Sequence, residues 1–245
     1  MNLDCARCVR KLTYAHSLAQ AFTFHLSLFT FTMKVAAFVP IRLNSKRVVG
    51  KNLKTLGNKP LLQYILETLV TVEQIDDIYV FCSSEEIIPY LPQGVKFLKR
   101  DTALDGDETL GKEIYEAFVK EVDADVYMLA HTTSPFIKKE TIANAVQKVT
   151  CGEHDSAFSA QRIKTFTWYK DAPLNYDLKD IPRTQTIEPV YVETSAFYIF
   201  RREVWTEKGQ RIGDKPYMAI VDQIEGIDID YPEDFEFAEK VAELS

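Results

Sequence analysis

The chain has 245 residues, 46% of them hydrophobic and 27% charged, a length and composition typical of one large globular α/β domain or two small ones. Its 29 lysines and arginines against 36 aspartates and glutamates give a net charge of −7, so there is no general attraction for a polyanion and nucleic acid is excluded as a partner. Four cysteines are too few for a disulfide framework, and we expect a reducing compartment, the cytoplasm.

The first 32 residues differ in character from the rest of the chain. Three cations precede an apolar, phenylalanine-rich run at 18–32, which superficially resembles a signal peptide but has no convincing cleavage site before Met33. The apolar run that follows Met33 is typical of the first strand of an α/β domain. We therefore expect residues 1–32 to be a leader outside the fold and residues 33–245 to form the domain; a signal or anchor segment and a genuine extension of the fold are the alternatives.

Two binding functions are not expected from the sequence. Cys5 and Cys8 have the C-x-x-C spacing of a zinc site but lack the second pair of ligands that such a site needs. Beyond the leader, no run reaches the roughly 20 apolar residues of a membrane helix, and we expect no membrane partner.

From residue 34 onward, short apolar runs rich in strand-forming residues alternate with longer segments of helical period. This alternation predicts one α/β domain with a mixed, mostly parallel sheet and helices on both faces, and no linker rich in glycine and serine divides it. The predicted strands lie near 34–40, 77–82, 125–130, 155–161, 195–200 and 224–229. The predicted helices lie near 61–73, 84–90, 109–122, 139–150, 201–207 and 232–243.

Residues 163–194 break the alternation and are predicted to be an insertion. They hold several aromatic residues and prolines, among them Trp168, Tyr169 and Tyr176. An apolar, aromatic arm outside a sheet usually packs against something else, often a second subunit. We therefore expect this arm to be buried against another surface, such as a partner subunit.

The loop that follows the first strand, residues 39–52, carries four cations and no acid in an otherwise acidic chain. Open α/β sheets bind ligands at the carboxyl ends of their strands, and this loop offers guanidinium, ammonium, hydroxyl and amide donors to an anion. It matches neither G-x-x-x-x-G-K-[ST] nor G-x-G-x-x-G, so an ordinary ATPase or dinucleotide-binding function loses its main support. A polyphosphate is the natural ligand, and a solvated basic turn is the alternative.

Asp228 and Asp230 alternate with isoleucines near the C-terminus. On a strand, both carboxylates would point to the same face while the isoleucines enter the core. Two adjacent carboxylates repel each other unless a cation lies between them, and their hard oxygen atoms suit Mg²⁺ shared with substrate phosphates. The alternative is that Asp230 only caps the following helix.

Four blocks of the chain together resemble a known family. In chain order they are Pro40-x-Arg42-x-x-Ser45-Lys46 with Lys51-Asn52, Thr133-Ser134-Pro135, Pro182-Arg183-x-Gln185, and Ile227-Asp228-Ile229-Asp230. They resemble the cytidylyltransferases that activate acylneuraminate-type sugars, which include the CMP-sialic acid synthetases and are related to the 3-deoxy-manno-octulosonate cytidylyltransferases. The resemblance runs from about residue 34 to the C-terminus.

The resemblance implies a Rossmann-like nucleotidyltransferase fold and a homodimer whose arm, residues 163–194, reaches the neighbouring subunit's site. The implied reaction joins CTP to a 2-keto-3-deoxy sugar acid and releases pyrophosphate, with Mg²⁺ as the cofactor. The cations present suit this reaction, because attack on the α-phosphorus needs positioning and charge neutralisation more than covalent work by the protein.

The resemblance also implies which residues form the site. CTP would be bound by Arg42, Asn44, Ser45, Lys51, Asn52 and Arg100. The sugar acid would be bound by His131, Thr132, Thr133, Ser134, Arg183, Gln185 and Tyr198, with Arg183 the candidate for the substrate carboxylate. The catalytic set would be Arg42, Lys51, Asp228 and Asp230, the two aspartates binding Mg²⁺. The sequence names no unambiguous general base.

Two departures from the family's pattern lie on the expected sugar side. His131-Thr132 stand where many sialic acid synthetases have Gln-Pro, and Val192-Glu193-Thr194-Ser195 stand where they have Arg-Pro-Asn-Gly. The CTP side is intact, so the identity of the sugar stays open. The alternative functions are a sugar-1-phosphate nucleotidyltransferase, whose glycine-rich first loop is missing here, and a non-catalytic nucleotide-binding module.

Overall fold

The computed structural model describes residues 33–244. The predicted leader and the Cys5–Cys8 pair lie outside the described residues. The strands are β1 Val35–Ile41, β2 Thr55–Leu56, β3 Lys59–Pro60, β4 Asp77–Cys82, β5 Val95–Lys99, β6 Val126–Ala130, β7 Ser156–Ile163, β8 Trp168–Tyr169, β9 Ala172–Pro173, β10 Val190–Arg201 and β11 Pro216–Val221. The α-helices are α1 Leu61–Val70, α2 Gly111–Glu121, α3 Lys139–Thr150, α4 Arg202–Lys208 and α5 Pro232–Glu243.

A seven-stranded sheet in the order β11-β7-β10-β6-β1-β4-β5 forms the centre of the domain. β10 runs antiparallel to both of its neighbours, β6 and β7, while the other neighbouring pairs are parallel. The predicted mixed, mostly parallel sheet is therefore confirmed. Because Phe197 of β10 pairs with Ala130, the last residue of β6, the residues of β10 before Phe197 extend past the carboxyl end of β6.

Helices cover both faces of this sheet, as predicted, because the side chains of the buried strands alternate between two cores. In β1, Ala37 and Val39 belong to the core shared with α1 and α3, whereas Ala36 and Phe38 belong to the core shared with α2 and α4. On the second face, the rings of Phe38 and Phe118 stack with centroids 4.2 Å apart. A third, smaller core packs α5 against the loops that follow β1.

Most of the predicted elements are present with shifted ends. The exceptions are one helix of a different type and one predicted strand that is absent. The helix predicted near 84–90 is a 3₁₀ helix at Glu85–Tyr90 that contains Pro89, which an α-helix interior does not tolerate. Strand β5 was not predicted: it lies at the sheet edge and its lysines interrupt the apolar pattern.

The strand predicted near 224–229 is wrong. The strand that completes the seven-stranded sheet is β11. The segment after β11 consists of a turn followed by irregular chain. Ile229 is fully buried in the third core, against α5, instead of in the sheet. Gly226 passes so close to Gln161 that a Cβ there would lie 2.1 Å from its Nε2 atom. The alternation of isoleucine and acid therefore reflects a segment laid across the end of the sheet.

The predicted insertion at 163–194 is partly a strand, since its last residues begin β10 and pair with β7. Between these strands, β8 and β9 form a small hairpin of their own. Between β7 and β10, the large apolar side chains that lie exposed are Phe166, Trp168, Tyr169, Leu174, Leu178 and Ile181. Within residues 33–244, no helix is both long and apolar enough to cross a membrane.

Candidate active site

A cleft of about 210 Å³ opens at the carboxyl ends of the parallel neighbours β1 and β6. This is the edge at which open α/β sheets bind ligands. The cleft is lined by Pro40, Arg42, Ser45, Lys46, Arg47, Val48, Lys51, Asn52, His131, Thr132 and Thr133. The structure thus brings the predicted basic loop together with residues 131–133, which sequence analysis had assigned to the other substrate.

Asn52 fixes the basic loop to the neighbouring strand end. Its buried side chain donates a hydrogen bond from Nδ2 to the carbonyl of Arg42 at 2.9 Å and accepts one from Thr132 Oγ1 at 2.6 Å. Gly50, just before, has a φ of 63°, a left-handed conformation that glycine adopts without strain. These contacts hold the loop in a curve with its cations around the cleft.

The four cations of the loop have different partners. Lys51 is mostly buried, donates from Nζ to the carbonyl of Ile229 at 2.7 Å and lies 3.7 Å from Asp230 Oδ1. Burial lowers the pKa of Lys51, and the charge of Asp230 opposes that shift. Arg47 lies 3.1 Å from the other oxygen of Asp230.

Arg42 and Lys46 face a different acid. Both contact Asp107, which lies in the turn before α2, and the Arg42 pair is 3.5 Å long. All three side chains are at least two-fifths exposed, so this contact contributes little stability. Arg42 and Lys46 are therefore available to an incoming anion.

Asp228 and Asp230 lie on the same irregular segment and differ in surroundings. Asp228 is half-buried, and among the described residues its Oδ1 atom, which is inaccessible to solvent, has no hydrogen-bond partner. Burial raises the pKa of Asp228, a hydrogen bond from Thr133 opposes the rise, and the charge of Asp230 adds to it. An unpartnered buried carboxylate oxygen beside a second carboxylate is the donor set expected of a site for a hard cation.

Asp230 does not cap α5. The carboxylate of Asp234 accepts hydrogen bonds from the backbone N–H groups of Asp230 and Tyr231, at 3.0 and 2.7 Å. The capping alternative for Asp230 is therefore wrong, and its side chain pairs with Arg47 and Lys51 instead. Within residues 33–244 no group of three or more His, Cys, Asp or Glu could hold a metal, so a cation at the pair needs further oxygen ligands from substrate or water.

His131 connects the cleft to β10. Its Nδ1 lies 2.5 Å from the carbonyl of Ser195, and because a carbonyl only accepts, Nδ1 carries the proton and Nε2 is left as an acceptor in the neutral ring. Burial lowers the pKa of His131, which favours that neutral form. Ser195 has a φ of 59° where the pairing of β10 with β7 shifts register.

Beyond His131, Tyr198 forms part of a polar cluster on β10. Tyr198 Oη donates to Glu193 Oε2 at 2.6 Å, and burial followed by this contact raises the pKa of Tyr198 to about 12. The guanidinium of Arg211 lies 3.6 Å from the centroid of the Tyr198 ring. Sequence analysis gave Glu193 no role, although it is one of the residues that depart from Arg-Pro-Asn-Gly, and it missed Arg211 altogether because no motif marks that residue.

Several predicted site residues are not at the cleft. Arg100 is only 2% exposed and is held by an ion pair with Asp105 at 2.5 Å. Ser134 is fully buried beneath the cleft lining. Arg183 and Gln185 are exposed on the arm, and Asn44 is exposed outside the lining residues. The structure therefore does not bring these five into the cleft of their own chain, whereas Tyr198, Asp228 and Asp230 do not line the cleft but contact His131, Thr133 and Lys51, which do.

One protein family matches most of this chain. The family described as Cytidylyltransferase matches residues 36–245. An N-acylneuraminate cytidylyltransferase of Oncorhynchus mykiss is 26% identical over 84% of this chain and 50% of its own length. A CMP-N,N'-diacetyllegionaminic acid synthase of Legionella pneumophila is 28% identical over 87% of this chain and 98% of its own length. The chain thus spans about half the length of the first relative and nearly all of the second.

Solved structures agree on the fold. A CMP:2-keto-3-deoxy-manno-octonic acid synthetase complexed with CTP has a TM-score of 0.66 at 16% identity, covering 86% of this chain and 99% of its own. A 4-diphosphocytidyl-2C-methyl-D-erythritol synthase from Anaerococcus prevotii has a TM-score of 0.63 at 13% identity, covering 86% and 97%. At these identities the likeness establishes the Rossmann-like architecture alone.

Proposed function

The chain belongs to the cytidylyltransferase family, and on that basis we propose that it joins CTP to a 2-keto-3-deoxy sugar acid, giving the CMP-sugar and pyrophosphate. The observation that carries the proposal is the cleft lined by four cations, two of which, Arg47 and Lys51, pair with Asp230 on the same segment as the unpartnered oxygen of Asp228. The relatives' names support the substrate class, since they concern acylneuraminic, legionaminic and octonic acids.

The basic loop would hold the triphosphate. Phosphate oxygens would replace Asp107 as the partners of Arg42 and Lys46, while Lys51, already fixed by the carbonyl of Ile229, needs little reorganisation. Ser45 adds a hydroxyl donor at the cleft. Such preorganised donors act on the charge that develops on the α-phosphate and the departing pyrophosphate.

Asp228 and Asp230 would hold Mg²⁺, for which the unpartnered Asp228 oxygen is a fitting ligand. When bound, the ion would neutralise triphosphate charge. Asp230 would then exchange part of its interaction with Arg47 and Lys51 for the cation, which leaves Arg47 free to turn toward phosphate while Lys51 stays bound to the carbonyl of Ile229.

The sugar acid would lie toward β10. Its anomeric hydroxyl oxygen attacks the α-phosphorus, the bond from that phosphorus to the bridging oxygen of pyrophosphate breaks, and the hydroxyl proton passes to solvent water. His131 presents a neutral Nε2 that can accept a hydrogen bond from a substrate hydroxyl, and Thr132 and Thr133 line the same part of the cleft.

The direct test is pyrophosphate release. With Mg²⁺ and a panel of 2-keto-3-deoxy sugar acids, we expect CTP to be consumed and ATP or GTP to be used far less, because groups that bind the cytosine edge would be left unpaired by a purine. Equal turnover with ATP would contradict the proposal. The CTP pool on which this reaction draws supports the cytoplasm as its compartment.

The exposed arm supports a homodimer. Trp168, Tyr169, Leu178 and Ile181 are each more than half exposed, which is unusual for large apolar side chains clustered in one segment. Arg183 and Gln185 lie on the same arm and outside their own cleft. In a two-fold dimer they would reach the partner's cleft and complete its sugar side.

Complementation between variants tests this arrangement. We expect Lys51→Met and Arg183→Met to be weakly active alone, and their mixture to recover about a quarter of wild-type activity, because half of randomly mixed dimers are hybrids with one intact site. The control is a mixture of Lys51→Met with Asp228→Asn, both at the cleft of the same chain and both expected to be strongly impaired, which should recover none. A monomer in light scattering, or no recovery in the first mixture, would overturn the arrangement.

A further inference from the structure

The polar cluster on β10 extends the cleft on the side away from the basic loop. In the sheet, β6 lies between β1 and β10, so the cleft residues after β6 separate the loop after β1 from this cluster. Glu193 and Ser195 precede Phe197 and therefore lie past the carboxyl end of β6, the edge where the cleft opens. The ring of Tyr198 is 6.4 Å from that of His131, which lines the cleft.

Arg211 is held in place by aromatic side chains. Its Nη1 donates to Tyr115 Oη at 2.9 Å, and its Cζ lies 3.6 Å from the centroid of the Tyr198 ring. Its Nη2 is 3.7 Å from Glu193 Oε2, which is beyond hydrogen-bond distance. The two charged groups are therefore close to each other without a direct hydrogen bond between them, and Glu193 is instead bonded to Tyr198.

The space between Arg211 Nη2 and Glu193 Oε2 suits one kind of ligand group. Both side chains keep access to solvent, 33% for Arg211 and 45% for Glu193. An oxygen atom placed against both would accept a hydrogen bond from Nη2 and donate one to Oε2, which a hydroxyl group does and a carboxylate cannot. A secondary amide fits poorly, because its N–H and C=O point in opposite directions while the two protein atoms are 3.7 Å apart.

We propose that Glu193 and Arg211 form a subsite for a hydroxyl group of the sugar acid, on the part of the molecule remote from the carbon that attacks CTP. The inference rests on the proposed function and specifies its sugar side. The subsite lies one strand beyond His131, about 5 Å further across the sheet edge, a distance that a sugar ring can span. Tyr198 is itself buried and fixes both groups, by the stacking of its ring on Arg211 and by its hydrogen bond to Glu193.

The test compares a hydroxylated sugar acid with its monodeoxy analogues in the wild-type protein and two variants, Arg211→Met and Glu193→Gln. Methionine keeps much of the packing on the tyrosines and removes the donors. In the wild-type protein we expect one deoxy analogue to lose at least about tenfold in kcat/KM. In Arg211→Met the parent acid should fall to the level of that analogue, with the KM for CTP unchanged, and Glu193→Gln should discriminate less than the wild type.

A purely structural role would look different. It would lower the melting temperature of the variants and leave the ratio between parent and deoxy acid at its wild-type value, which would overturn the proposal. Asp214→Asn is the matched control, because it removes one carboxylate three residues from Arg211 and its partner is Lys208. We expect that variant to keep both the ratio and the KM values.

Equilibrium binding separates this proposal from the proposed function. Calorimetry with the same acids, in the presence of a CTP analogue whose α,β-bridge cannot be cleaved, measures the ratio of dissociation constants without turnover. If no acid releases pyrophosphate from CTP, the proposed function fails while the binding ratio still decides the subsite. A wild-type binding ratio near one for every deoxy analogue would eliminate the subsite even in an active enzyme.

Discussion

The two sides of the cleft are built differently. On the side that we propose for the nucleotide, four cations come from one loop of a dozen residues, and two of them pair with a single segment that carries Asp228 and Asp230. On the side that we propose for the sugar acid, His131, Glu193, Tyr198 and Arg211 come from the end of β6, from β10 and from the loop before β11. The sequence predicted the first group as a whole, whereas on the second side it predicted His131 and Tyr198 and missed the pairing of Glu193 with Arg211, which lie on distant elements.

The largest expected effect tests the nucleotide side. Asp228→Asn and Asp230→Asn should each lower turnover by about 10²-fold or more, because each removes a ligand charge opposite the triphosphate. The metal-free Asp228→Asn protein should melt no lower than wild type, since burial already disfavours the charged form of Asp228. Turnover against magnesium concentration, measured beside thermal melts, checks both statements, and near-wild-type turnover at low magnesium would remove the metal role.

A second prediction separates two cations of the same loop. Lys51→Gln should reduce kcat/KM for CTP by about 10²-fold, as expected for loss of a preorganised donor. Lys46→Gln is the matched control and should cost only a few-fold, because the side chain of Lys46 is 71% exposed while that of Lys51 is 12% exposed. Equal losses in steady-state kinetics would show that burial does not distinguish the roles of these lysines.

Asn52 connects the basic loop to Thr132 at the end of β6, and we expect its replacement to lower the stability of the protein. Asn52→Ala removes the acceptor of the buried Thr132 hydroxyl and the donor to the Arg42 carbonyl. We expect the free energy of unfolding to fall by about 1–3 kcal/mol, measured by urea denaturation. A variant that loses activity at unchanged stability would instead indicate that Asn52 acts mainly on the nucleotide.

The smallest expected effect is a pH dependence on the sugar side. The folded-state pKa of Tyr198 is raised to about 12, above an unfolded value of about 10. The native state therefore holds a proton that the unfolded state loses, and this contribution to stability is complete below pH about 10 and disappears as the pH rises through the folded pKa. Urea denaturation from pH 9 upward should show a steeper decline for wild type than for Tyr198→Phe. Parallel curves would mean that burial and the contact with Glu193 do not raise the pKa of Tyr198 in solution.

Part of the fold followed from the sequence for a local reason. The alternation of strand and helix segments predicted a mixed sheet covered on both faces, because the period of apolar residues is a property of each segment. The same reasoning failed at 224–229, where alternating isoleucines pack on α5 instead of on a neighbouring strand. A period of two reports which side chains are buried, but it does not report what buries them.

The sequence by itself determined the basic loop, the paired aspartates and the class of ligand they suit, because charge and donor type belong to the residues and their spacing is short. Only the tertiary structure decided that Asp230 pairs with Arg47 and Lys51 and that Asp234 caps α5. Only the antiparallel direction of β10 decided that Glu193 extends past β6, and only the packing of two tyrosines placed Arg211 beside it. These contacts depend on the order and direction of strands, which follow from the burial of the whole core and leave no mark in any short stretch of the chain.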